Sequence, residues 1–419
     1  AILAGAWAIG RLAWRAVGPG NPHDRLVTNV LAVGVGLSMV SLITLGCGLA
    51  GALHRWCLGG VLGLAVLSEL ALLLLGRYRS VADRAGMVEE EESENGVDEV
   101  LSYSSARKVV FCWSLVWLFG FFLLAGAIQS PVDFDVKEYH LQGPKEFYQQ
   151  GRISFLEHNV YTSFPFLTEM LSLAGMVLAG DWWAGALVGK TVLMSFAPLT
   201  ALVLYAAGRR WFSTSAGWVA ALVFLTTPWT VRISIIAYAE GGLSFYLAAT
   251  TLAVLLAIER LRRGEPVPRH VFLAGLLAGS GMACKYTGLV QVVLPALVAL
   301  AWAARRWRGE ATGWSSIGRV ATVFLMGTAV TIGPWLLKNL VETGNPVYPL
   351  GYTVFGGHDW DPAANDKWRS AHSSTTFSPA DLAERVLDVV SRNDWQSPLV
   401  FGLAPLALLA VPNRLLPVD

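Results

Sequence analysis

The sequence predicts an all-α polytopic membrane protein with about eleven transmembrane helices. Three observations carry that prediction. The 419-residue chain is 54% hydrophobic and only 15% charged, with a mean hydropathy of +0.51, which excludes an ordinary set of two or three soluble domains. Several apolar runs reach the roughly 20 residues that a helix needs to cross a bilayer. Basic residues fall mainly in short connectors between those runs, which the positive-inside rule assigns to the cytoplasm.

Taken in order, residues 1–10 read as the tail of a span, followed by Arg11, Arg15 and Arg25. Spans are expected at about 27–50 and 56–76, and the polar stretch 77–107 carries an acidic patch (Glu89–Glu92, Glu94, Asp98, Glu99) expected to be a solvated connector. Residues 1–107 thus form an N-terminal unit of extra helices. A span at 109–129 then opens a core of 108–337 and delivers the chain to a polar outer loop, 130–183. Within that loop Phe166–Ala179 is apolar but short for a crossing. It is expected to lie in, or dip into, the outer leaflet, because a crossing there would place every later basic connector outside. Further spans follow at about 184–207, 215–228, 238–258, 270–283, 287–304 and 317–337. A polar outer segment, 338–397, precedes a last apolar run within 398–419. The chain opens on Ala inside an apolar run and stops just after another, so the sequence leaves open whether either end is truncated.

Other classes find little support. The net charge of +1 says nothing about nucleic acid, but no basic stripe is interleaved with aromatics, and no nucleic-acid partner is expected. There is no P-loop, no Gly-rich dinucleotide turn and no HExxH. Cys47, Cys57, Cys112 and Cys284 lack metal-ligand spacing and read as buried thiols. Small residues in the GAWAIG and GLAGALHRWCLGG segments suit helix packing.

The stretch Pro131–Pro165 is the exception to this apolar text. It concentrates Asp133, Asp135, Glu138, Glu146, Glu157, His140, His158 and three tyrosines. Ionisable groups held near lipid are costly and point to function. Asp135, Glu138 and Tyr139 are spaced to share one helix face. The topology brings Arg232, Tyr238 and Glu240, then Lys285 and Tyr286, then Lys338, Asn339 and Asn345 to the same side, with Lys190 near the outer end of its span. A lone Lys or Tyr there is an ordinary interface anchor; Glu240 has no such bland role. Together, carboxylates and cations suit an anionic lipid headgroup and a hydroxyl or amine nucleophile, with the cations stabilising a developing phosphate and a carboxylate acting as general base.

The order Asp135-x-x-x-Tyr139-His140, Pro144, Gly151, Asn159, Pro165, Glu169-Met170-Leu171, Thr227-Pro228-Trp229, Tyr238-Ala239-Glu240, Lys285-Tyr286-Thr287-Gly288 and Thr343–Pro349 resembles a known family. It is similar to the bacterial integral-membrane glycosyltransferases of the GT-C class, in the family-39-like branch related to protein O-mannosyltransferases and aminoarabinose transferases. The resemblance covers about 109–350. It implies a GT-C-like bundle whose first outer loop carries juxtamembrane helices and the catalytic acid. The implied activity is transfer of a sugar from a polyprenyl-phosphate donor to a lipid, glycan or protein acceptor, on the extracytoplasmic face of a plasma (inner) membrane. By position, Asp135 is the catalytic group, with Asp133 as its alternative and Glu240 as a second acid. Lys190, Lys285, Tyr286 and Lys338 would hold the donor phosphate; Glu138, Tyr139, His140 and Asn159 would position acceptor or loop.

Direct displacement with inversion is the expected chemistry. The sequence leaves metal dependence open, and Asp133, Asp135 and Glu240 are candidate ligands for a hard divalent cation. Two competing readings use the same residues: a transporter or flippase for lipid-linked sugars, and a noncatalytic membrane scaffold. A transporter would place its ionisable groups near the midplane and show internal repeats; here the acids gather at one interface.

Overall fold

The computed structural model describes residues 1–18, 24–85, 99–307, 310–373, 378–396, 400–402 and 404. Among the described residues every regular element is helical. The N-terminal unit comprises α1 (Ile2–Val17), α2 (Arg25–Leu49) and α3 (Arg55–Ala85). The core follows with α4 (Glu99–Ala127), α5 (Gln142–Gln150), α6 (Leu167–Ala179), α7 (Trp182–Met194), α8 (Phe196–Trp211), α9 (Thr214–Thr226) and α10 (Pro228–Ile235). It continues with α11 (Glu240–Arg262), α12 (Pro268–Cys284), α13 (Leu294–Trp307) and α14 (Glu310–Thr343). Three short helices, α15 (Tyr352–Phe355), α16 (Pro362–His372) and α17 (Pro379–Ser391), structure the outer segment that reads as a polar loop in the sequence.

Among the described residues six helices are long and apolar enough to cross a membrane, and a seventh span arises if α9 and α10, bent by 61° at Thr227-Pro228, count as one. This is an integral membrane protein. The other expected crossings correspond to shorter or partly described apolar helices, such as α1 with 16 residues and α12 with 17. At 1.5 Å per residue α12 spans about 25 Å, just under the hydrocarbon thickness. The expected connector 77–107 is helical at both ends, where α3 and α4 continue into it. The acidic residues Glu89–Glu92, Glu94 and Asp98, and most of the last apolar run, lie outside the described residues.

Small residues let the helices meet backbone to backbone. Gly10 on α1 abuts the Ala32 carbonyl and Gly36 on α2 abuts the Ala6 carbonyl, leaving no room for a Cβ at either position. The same device joins α12 to α14, where Gly275 faces Phe324 and Gly327 faces Phe272. The packing role expected for GAWAIG is therefore observed. Of the second segment, Gly48 packs on Ile153, whereas Gly60 faces open space. Cys57 is exposed, with its Sγ 4.0 Å from that of Cys47, and is not the buried thiol expected; Cys284 is buried. Outward faces of α3 and α4 expose Leu64, Leu67, Trp117 and Phe121, as lipid-facing helices do.

One sequence-invisible ion cluster ties the N-terminal unit together. Glu69 on α3 is fully buried. It takes both guanidinium nitrogens of Arg15 on α1, one at 2.9 Å, and Arg11 Nε at 3.3 Å.

The charged groups sort to two ends of the bundle. At one end Arg209 pairs with Asp24, Arg210 and Arg263 pair with Glu259, and Arg269 donates to the Gly18 carbonyl. These belong to the basic connectors. The polar loop gathers at the other end. There α6 and α7 form a hairpin in which Gly175, Gly185, Gly189 and Ser172 touch along the backbone. Its closed tip at Gly180-Asp181 stays on the loop's side, since Lys145 Nζ sits 4.3 Å from the Trp182 ring and α6 runs antiparallel to α7. Helix α6 therefore does not cross. Its residues from Leu167 to Val177 are buried by protein rather than lying against lipid as expected.

Candidate active site

The outer loop leaves α4 and immediately makes a π-helical turn, Val136–His140, with Asp135 at its N-terminal edge. Such turns are frequent at functional positions because the extra residue re-aims the side chains. Val136 and His140 point inward and are buried, while Asp135 and Glu138 face out. The turn is held from outside by Asn159, whose Nδ2 donates to the Glu138 carbonyl at 2.9 Å. It is held from within by His140, whose Nδ1 lies 2.5 Å from Glu169 Oε1 on α6. Asp133 ties the start of the loop to α10 through an ion pair with Arg232.

A cavity of about 480 Å³ opens over this turn. Asp135, Glu138, Tyr139 and His140 line one side, and Lys285 and Tyr286, from the turn after α12, line another. Trp368 and His372 of α16 also line it. The spacing that places Asp135, Glu138 and Tyr139 together is thus realised, on a π rather than an α turn. A smaller cavity of about 120 Å³ lies behind the turn, lined by Asp133, Lys190 and Arg232. Lys190 is buried there and donates to the Gln129 carbonyl at 2.6 Å. A further cavity of about 270 Å³, between residues 261–271 and 316–323 at the opposite end, is predominantly apolar and far from these groups.

The carboxylates are not equivalent. Asp133 carries Arg232, and Glu240, at the start of α11, carries Lys285 Nζ at 2.7 Å. Asp135 accepts no hydrogen bond and no ion pair from the described residues. It still shapes its surroundings. Burial first, and then the nearby Asp135, Glu169 and Glu240, push the Tyr139 hydroxyl well above the usual tyrosine range. Burial followed by Asp135 also raises Tyr161 and Tyr238, and burial raises Tyr286 against the opposing hydrogen bond from Asn339. All four phenols therefore remain protonated near neutral pH and serve as hydrogen-bond donors, not bases.

Aromatic rings fill the wall between these groups. Tyr139 stacks on Tyr161 with centroids 4.7 Å apart, and Trp368 follows at 5.6 Å from Tyr161. Phe164 meets both Tyr286 and Trp368 edge-on. Asn339 on α14 donates to the Ser163 carbonyl at 2.6 Å and fixes this part of the loop.

Two sequence candidates have other duties. Lys338 is buried and pairs with Glu342 one turn along α14 at 2.6 Å, and it lines neither site cavity. Asn345 organises the following turn, donating to the carbonyls of Leu350 and Gly356. The divalent-cation set Asp133, Asp135 and Glu240 is not assembled. Among the described residues no three His, Cys, Asp or Glu side chains converge as metal ligands, and two of these carboxylates already hold cations of the chain. Glu169 and Trp368 were missed as site residues. A glutamate inside the apolar run Phe166–Ala179 was the available signal for the first; nothing local marks Trp368.

Residues 165–332 match the model of a family described as dolichyl-phosphate-mannose-protein mannosyltransferase. The matched segment is similar to that family. This bears out the resemblance to the family-39-like branch. The match is well under half of the chain, from the start of α6 into α14, and takes in Glu169, Lys190, Arg232, Glu240 and Lys285. It begins after the turn that carries Asp133, Asp135 and His140, so the loop that completes the cavity rests on the geometry alone. No curated protein and no solved structure matches the chain.

Proposed function

We propose that this glycosyltransferase moves a sugar from a polyprenyl-phosphate donor to a hydroxyl or amine acceptor, with inversion at the anomeric carbon and Asp135 as general base. The observation that carries the reading is the state of the three candidate carboxylates. Asp133 and Glu240 are each neutralised by a cation, whereas Asp135 stands unpaired in a 480 Å³ cavity, within the size range of sugar-sized ligand sites.

The chemistry follows from that arrangement. The acceptor oxygen or nitrogen attacks the anomeric carbon, the bond from that carbon to the phosphate oxygen breaks, and the phosphate departs with the electron pair. Asp135 takes the acceptor proton. Lys285, and Lys190 with Arg232 behind the turn, supply positive charge where the phosphate develops its negative charge. Tyr286 adds a protonated hydroxyl as donor. A phosphate leaving group needs little acid assistance, so the paired-carboxylate scheme of glycoside hydrolysis is not required. The cation-rich opposite end of the bundle supports an extracytoplasmic site by the positive-inside rule.

The test is transfer from polyprenyl-phosphate sugars by purified protein in nanodiscs, alongside Asp135→Asn and Glu240→Gln variants of verified fold. Transfer or slow donor hydrolysis in the parent, reduced about 10²- to 10⁴-fold in Asp135→Asn, supports the reading. Donor that binds equally to parent and variants but is never turned over would sink it in favour of a flippase or scaffold.

A further inference from the structure

His140 is buried, yet it lines the cavity. Its Nδ1 faces Glu169 Oε1, and Thr168 Oγ donates to the second carboxylate oxygen at 2.9 Å. The carboxylate occupies Nδ1, so Nε2 is the ring nitrogen left to meet the cavity, and it bonds to no described residue. Beside it the Tyr139 ring lies 4.2 Å from the imidazole and stacks on Tyr161. A ring nitrogen without a partner among the described residues thus adjoins a flat aromatic wall, at the buried side of a cavity whose exposed edge holds Asp135.

A pyranose or furanose offers the matching surface, a carbon face for the rings and hydroxyls at its edge. We propose that His140 is a donor-sugar binding residue, its Nε2 hydrogen-bonding one ring hydroxyl while the sugar packs on Tyr139 and Tyr161. Glu169 is then a positioning residue that fixes the imidazole ring. This rests on the transferase reading and adds to it a specificity: the site selects a sugar with a free hydroxyl at one position.

The test offers short-chain polyprenyl-phosphate mannose, glucose and arabinose to the full chain in nanodiscs. The donor that is turned over is then compared with its monodeoxy analogues. In the parent, one analogue is expected to lose about 100-fold or more in kcat/KM, because its absence leaves the buried imidazole unpaired. His140→Leu loses a similar factor with the intact donor and no longer distinguishes the two. His140→Gln, which keeps an acceptor oxygen, retains part of the discrimination, and Glu169→Gln weakens it. Thermal melting screens for fold, and His140→Gln carries the comparison should His140→Leu not fold.

Deoxy penalties that are identical in parent and His140 variants, with Asp135→Asn still inactive, overturn this proposal alone. Transfer that persists in Asp135→Asn, or no transfer from any donor by the parent, overturns the transferase reading and this proposal with it.

Discussion

Replacing Lys285 with methionine separates what the Lys285–Glu240 pair does for folding from what it does for chemistry. The ion pair is 2.7 Å long, but the lysine side chain is 48% exposed and the glutamate 29% exposed. At water-like dielectric its direct attraction is about 1.5 kcal/mol, before side-chain entropy and desolvation are subtracted. Measured exposed pairs retain about 0.2–1 kcal/mol. The folded state should therefore lose less than about 1 kcal/mol. A phosphate developing charge in the cavity about 4 Å from the same ammonium, at an effective dielectric of 20, would lose up to about 4 kcal/mol, or about 10³-fold in rate. The assay pairs thermal melting in detergent with kcat/KM for a polyprenyl-phosphate sugar in the same preparation. The expected result is a melting temperature near that of the parent, a rate lower by 10²- to 10³-fold, and partial recovery in Lys285→Arg. A rate that falls no further than the melting shift explains, or one that falls equally in Lys285→Arg, would refute the idea that the charge acts on the leaving group.

Gly36→Val should prevent α1 and α2 from docking, because the new side chain overlaps the Ala6 carbonyl; a loss of folded protein by size-exclusion and melting would show it, with Gly120→Ala, which meets nothing, unchanged. Glu69→Gln should destabilise the fold by about 1–3 kcal/mol, since it leaves the partly exposed Arg15 and Arg11 guanidiniums facing an uncharged partner; Glu69→Asp should be milder, and both are read by thermal unfolding. The Tyr139 hydroxyl is held above the ordinary value of 10, so the folded state keeps its proton while the unfolded chain loses it. The associated stability is complete below about pH 10 and declines as pH rises above that. Difference absorbance between parent and Tyr139→Phe should show no phenolate from this residue below pH 10.

How much of this was legible in the sequence depended on whether the partner lay in the same helix face or elsewhere. Glu240 and Lys285 begin and follow helices whose orientation the basic connectors set, so their arrival at one end was readable, and they do meet. Asp135, Glu138 and Tyr139 were readable from spacing. The Asp133–Arg232 pair was not, since hydropathy carries no information about which of two adjacent aspartates turns toward α10. Lys338 and Asn339 show the limit most sharply. One residue along α14 rotates a side chain by about 100°, which turns Asn339 onto the loop and leaves Lys338 with Glu342. Glu69 and Glu169 were visible as acids among apolar residues, but their partners lie 54 and 29 residues away. Only the packing of whole helices decides such pairs.

The first three helices contribute no group to the cavity, yet they bear on it. Helix α6, which carries Glu169, leans on α2 and α3, with Leu178 against Gly59 and α2 pressed along the buried flank of α6. A helix of 13 residues that does not reach across the bilayer cannot be anchored by lipid at both ends. Its depth and tilt are set by what stands behind it. The N-terminal unit is that backing wall, itself braced by Glu69 and the α1–α2 glycine contacts. A loosening of the wall far from the cavity would be felt there as a displaced Glu169 and a swivelled His140. The tolerance of the site is thereby inherited from residues that never approach a substrate.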